Sequence, residues 1–318
     1  KSGTAAGNTK YQEGNERNMD IISNLPEWIQ KDLEDFRREH TVDDAMQYRL
    51  AEPQIPYFGD EVLTMAIAAL LQGENILLSG SKATGKNILA ENLAYLFGRP
   101  LYNISFHVNT DASSLIGTDT FKDQEVQLRH GPVYQCALYG GFGVLDEINM
   151  AKNEAAAVLH AVLDQRRILE VPGYDKVSLD PAARFIATMN YGYAGTKELN
   201  EALVSRFLVI DMPEPDKETL ERIIRYRFPD IRPEALVQFV GLFLDLQKKA
   251  ANGEITTKVL DLRGMLSALG TIRAGLAPEL AVRMGITNKT FDLFEKELVN
   301  DVVMTRLPAS WTREDIFA

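Results

Sequence analysis

The chain has 318 residues, of which 45% are hydrophobic and 25% charged, and its formal net charge is −11. That is enough apolar material to bury a core across two domains, and the acidic balance excludes a general attraction to nucleic acid or anionic membrane. The single cysteine, Cys136, excludes an internal disulfide, and the longest apolar run, residues 63–71, is too short to span a bilayer. A soluble, cytoplasmic protein without a membrane span is expected.

Residues 1–20 are small and polar and read as a disordered tail; the lack of an initiator Met points to a fragment or processed product. Within 21–55, Leu25, Trp28, Ile29, Leu33 and Phe36 follow helical spacing, with Asn24 as a possible cap, and define an N-terminal helical extension. Residues 52–60, rich in Pro and Gly, break the pattern.

From 56 to 212 the pattern alternates. Apolar runs at 75–79, 100–105, 142–146, 184–189 and 207–211 read as strands, divided by helical patterns that include 86–97, 153–163 and 198–205. Strands apolar throughout and separated by helices imply a parallel sheet covered on both faces. Cys136 falls in a helical stretch and reads as a small buried apolar residue. Beyond 211–218 the strands stop, and helical patterns at 218–226, 233–251, 259–274 and 290–304 define an all-helical domain, 213–318.

Between the first strand and its helix stands GSKATGKN, comprising Gly80, Ser81, Lys82, Ala83, Thr84, Gly85, Lys86 and Asn87. A glycine-rich loop at this junction turns backbone N–H groups and a helix N-terminus toward a phosphate, and Lys86 adds a point charge. The alternative is a glycine-rich turn with a surface lysine. Asp146 and Glu147 end the third strand, where open α/β sheets bind ligands. Asp146 suits a Mg²⁺ shell and Glu147 suits polarising an attacking water, although two acids could simply end a strand.

Four segments in order, "LLSGSKATGKN", "VLDEIN", "FIATMN" and "ELNEALVSRF", resemble the AAA+ ATPases of the MoxR branch. The wording of "ATMNYGYAGTKELNEALVSRF" is most similar to the CbbQ/NirQ/NorQ-type members, and more distantly to the dynein-related AAA_5 modules. The resemblance covers roughly residues 57–274. It implies an αβα sandwich with a five-stranded parallel sheet, a helical lid, ATP and Mg²⁺ as ligands, and a homo-oligomeric ring, expected as a hexamer. By the same resemblance Asn190 is the sensor that holds the attacking water, and Arg206 is the finger that reaches a neighbour's site. Arg263 is the lid arginine, with Arg273 as its competitor because Asp261 replaces the family's small residue. Hairpins at 117–133 and 166–185 match family insertions that face a pore or substrate; the alternative is two ordinary surface hairpins. The four histidines have no metal-ligand spacing and read as structural or solvated.

Ser or Thr normally follows the loop lysine; here Asn87 does. Its amide oxygen can also ligate a hard cation, but on a longer side chain. The leading expectation is an ATPase that remodels or activates a partner protein, in the family often through a von Willebrand factor A-domain adaptor. The alternatives are a nucleotide-binding module that hydrolyses weakly or not at all, and an AAA_5-type nucleic-acid motor, which the acidic balance opposes.

Overall fold

The computed structural model describes residues 22, 25–50, 52–122, 124–190 and 199–318. The tail 1–20, the cap position Asn24 and residues 191–198 lie outside them. By internal contact the chain divides into one unit of residues up to 80 with 85–212, and a second of 81–84 with 213–318.

In the first unit, helix α1 (Glu27–Glu39) begins later than the apolar spacing suggests, because Pro26 occupies its N-cap. Its buried face of Ile29, Leu33 and Phe36 joins the core beneath α2 (Asp60–Leu71) and α3 (Lys86–Leu96). Arg37 donates from Nε to the Leu96 carbonyl at 2.7 Å, so a cation closes the C-terminal end of α3. Strands β1 (Ile76–Gly80) and β2 (Leu101–Ser105) follow, then α4 (Ala112–Ile116) and a hairpin of β3 (Gly117–Lys122) and β4 (Glu125–His130). Helix α5 (Pro132–Tyr139), β5 (Phe142–Asp146) and α6 (Asn153–Val162) come next.

The second expected hairpin shrinks to β6 (Ile168–Leu169) and β7 (Val177–Ser178). Its turn signal was legible; its strands are not the alternating ladders expected, since Leu169, Val171 and Leu179 are drawn into the core. The unit closes with β8 (Arg184–Asn190), α7 (Glu201–Val204) and β9 (Leu208–Asp211). Helix α7 starts at 201 rather than 198 because Asn200 caps it, its side chain accepting from Ala202 N–H at 2.8 Å.

The sheet is β2-β5-β8-β1-β9, parallel throughout. All five expected strands are its members. Its buried strands are apolar on both faces, with one cluster around Ile76, Leu78, Val144 and Ile186 and the other around Leu77, Leu145, Phe185 and Ala187. This is the α/β architecture, a parallel sheet covered on both faces, that the alternation predicted. Cys136 is buried on α5, its thiol directed at the Gly141 carbonyl 3.2 Å away, and burial pushes its pKa up.

The second unit is helical, with α8 (Lys217–Arg227), α9 (Pro233–Ala251), α10 (Leu262–Arg273), α11 (Pro278–Gly285), α12 (Leu293–Arg306) and α13 (Arg313–Ile316). Helix α12 starts three residues later than its periodicity suggests, where Asp292 accepts from Glu295 N–H at 2.8 Å. Helices α10 and α11 meet at Gly264 and Gly285. A Cβ on Gly264 would lie 2.2 Å from the Gly285 carbonyl oxygen, so the crossing admits no side chain there. Among the described residues no helix is long and apolar enough to cross a membrane.

Candidate nucleotide site

Parallel pairing aligns the C-terminal ends of β5, β8 and β1. Gly80 pairs with Asn190, Leu145 with Ala187, and Asp146 follows at the end of β5. The chain leaves β1 through the loop and re-enters at α3, whose N-cap Gly85 has φ 85°. Ala83 is also left-handed, at φ 67°, a conformation that costs an L-residue about 1–2 kcal/mol. Thr84 closes the loop from within, its hydroxyl donating to the Ser81 carbonyl at 3.1 Å. Lys82 is exposed, and Ser81 donates to Glu214 Oε1 at 3.2 Å within the second unit.

Lys86 is buried, with 7% of its surface exposed, and its Nζ donates to the Gly80 carbonyl at 3.1 Å. Burial pulls its pKa down to about 8, against the opposing pull of Asp146 and Glu147. A buried ammonium facing two carboxylates fits the site to a polyanion carrying its own cation. Asn87, one residue on, is exposed in the first turn of α3.

The acids are held by a residue that sequence reading passed over. Thr188, 1% exposed on β8, donates to Asp146 Oδ1 at 2.6 Å and accepts from the Glu147 N–H at 3.1 Å. Its only sequence signal was a hydroxyl in an otherwise apolar strand. Glu147 itself is left-handed at φ 55°, and its Oε1 accepts from Asn190 Nδ2 at 3.4 Å. Lys86, Asp146, Glu147 and Asn190 therefore come together at one edge of the sheet.

Arg206 follows α7, near the end of α6, where its Nη2 lies 3.7 Å from Asp164 Oδ2. Arg263 is exposed in the first turn of α10. Its competitor Arg273 is bound to Asp230 at 3.0 Å, and its carbonyl accepts from Arg313. Asp261 is the N-cap of α10 and pairs with Lys289 at 2.7 Å, which gives this departure from the family pattern a local structural reason.

Residues 75–207, which span the whole strand-end cluster, match the AAA domain of the dynein-related subfamily. The protein YojN of Bacillus subtilis (strain 168), whose name describes it as uncharacterized, is 32% identical over 287 residues, 88% of this chain and 93% of that protein. Uncharacterized proteins of Staphylococcus epidermidis and Staphylococcus saprophyticus are 33% and 34% identical, each over 77% of this chain and 95% of theirs. The chain belongs to the AAA-type ATPase family, and it is similar to these bacterial proteins over nearly their full length.

Proposed function

We propose that the protein hydrolyses ATP at a site completed by a neighbouring copy in a ring, and that turnover remodels or activates a partner protein. The observation that carries this reading is the buried Lys86 opposite the Asp146–Glu147 pair, with Glu147 bonded to Asn190. A phosphate-binding turn that only stored nucleotide would need the lysine and loop; an acid in a strained left-handed backbone, oriented by an amide, adds what a water-activating group requires.

Lys86 and the N-terminus of α3 meet the charge on the phosphates. Glu147 orients the water and takes its proton, while Asn190 fixes the carboxylate. Mg²⁺, when bound, supplies further neutralisation of the phosphate oxygens, and Asp146 with the amide oxygen of Asn87 would hold it. Both are hard oxygen donors, and Thr188 fixes the carboxylate through one oxygen only. Arg206 acts on a neighbour's phosphate, and Arg263 serves as the nucleotide-facing arginine of a lid formed by 213–318. Residues 21–55 serve as an N-terminal extension. The ring is a hexamer of the MoxR type, and an A-domain adaptor protein is its expected partner.

Steady-state hydrolysis tests this. The wild type should turn over ATP; Glu147→Gln and Arg206→Ala should each lower turnover by about a thousandfold while nucleotide still binds. Wild-type turnover at background, appearing only in Asn87→Thr, would replace hydrolysis with a binding-only role. Stimulation by DNA or RNA would point instead to a nucleic-acid motor.

A further inference from the structure

Asp164, just beyond α6, is shared by two arginines. Its Oδ1 accepts from Arg166 Nε at 2.9 Å and from the Arg166 backbone N–H at 3.1 Å. Its Oδ2 faces Arg206 Nη2 at 3.7 Å, beyond hydrogen-bond range. The Arg206 side chain is 27% exposed. Its Nη1 donates to the Ala202 carbonyl, and its Nε is buried with no acceptor among the described residues.

Two cations share the Asp164 carboxylate, and Glu170 adds a second acid beside Arg166. Nearby, His160 is held below its usual range by burial and then by the Arg206 charge. An ordinary surface ion pair would have two well-hydrated, mobile partners and little influence on either. Here the arginine stem is enclosed, its head is tethered to a carbonyl, and the carboxylate that steers it is already committed to Arg166.

We propose that Asp164 is a positioning residue for Arg206. It sets the direction of the guanidinium without neutralising it, so that the charge is presented to an anion outside the subunit. That anion is the terminal phosphate bound by a neighbouring copy; the inference rests on the reading of Arg206 as a group acting in trans. Arg166 serves as the clamp on Asp164. Without the carboxylate, Arg206 would have to be ordered anew in each encounter with the neighbour's phosphate.

Asp164→Asn removes the charge and keeps the shape. In the assembled protein, kcat should fall about tenfold with KM and nucleotide affinity unchanged, and Asp164→Glu should recover most of the loss. Added to Arg206→Ala, Asp164→Asn should cause no further loss. Asp164→Asn subunits, whose own strand-end cluster is whole, should regain turnover when mixed with Glu147→Gln subunits, which keep Asp164 and Arg206. A defect that persists in the Arg206→Ala background, or that mixing does not relieve, removes the positioning role while leaving Arg206 as the finger. An Arg206→Ala protein with full turnover overturns both.

Discussion

Strand β8 has a different kind of polar chemistry at each end. At its start, Arg184 is buried and donates to three carbonyls, those of Leu70 at 2.7 Å, Pro181 at 2.6 Å and Ala183 at 2.9 Å. Arg99 beside it donates to Gly140, His40, Thr41 and Tyr139, and Arg167 to Asp180 and Ala183. At its end, Thr188 and Asn190 hold two carboxylates that face a buried ammonium. The arginines at the first end are committed to backbone carbonyls and fasten loops. Burial lowers the pKa of Arg184 as it does that of Lys86, and Arg167 is left-handed like Glu147; what sets the second end apart is a pair of carboxylates facing the ammonium. Under the proposed function, the acids would act from a strand anchored firmly at its other end.

The sharpest separation should come from Arg184→Ala. It removes a charged donor from the carbonyls of Leu70, Pro181 and Ala183, of which Leu70 keeps the Gly73 N–H and Ala183 keeps Arg167, and it removes the guanidinium that lies 5.7 Å from the Phe36 ring centroid. A loss of about 3–5 kcal/mol is expected in urea unfolding. Nucleotide affinity per folded molecule should stay unchanged. Weakened nucleotide binding in a protein of normal stability would show that the two ends are not independent.

The sheet was legible because buried parallel strands are continuous apolar runs, and the loop because its glycine spacing has a steric reason. Asp146, Glu147 and Asn190 were legible as polar residues closing such runs. Thr188 was not, since a lone hydroxyl in "FIATM" gives no sign of bonding a carboxylate 42 residues away. Arg184 was equally silent, because its Leu70 partner is separated by 114 residues. Helix starts were displaced where the N-cap stands inside the apolar period, at Pro26, Asn200, Asp261 and Asp292. The short α11 went unread because its eight residues complete too few turns to display a period.

Thr188→Val should come next in size. The variant keeps the volume and β-branching of the side chain, so packing is preserved, but Asp146 loses a donor and the Glu147 N–H an acceptor. Turnover should fall roughly tenfold to a hundredfold, with a stability change of about 1–2 kcal/mol. The comparison predicts that rate is hurt more than stability at this end, the reverse of Arg184. Equal folding loss with unchanged turnover would make Thr188 a packing residue.

The smallest effect is a pH dependence confined to the loop end. In the free protein Lys86 is an ammonium below about pH 8 and increasingly neutral above it, because burial lowers its pKa despite Asp146 and Glu147. A polyphosphate favours the ammonium and so raises that pKa in the complex; above pH 8, binding must take up a proton that the free site no longer holds. Nucleotide affinity should therefore be level below pH 8 and weaken above it, approaching about tenfold per unit. Titration calorimetry between pH 7 and 9.5, in buffers of different ionisation enthalpy, would register both the weakening and the proton uptake. In Lys86→Arg the loop keeps its charge across this range, so residual affinity should be flat with pH. A slope that survives this substitution would have to arise from another group, and Lys86 would not be the residue that couples proton uptake to nucleotide binding.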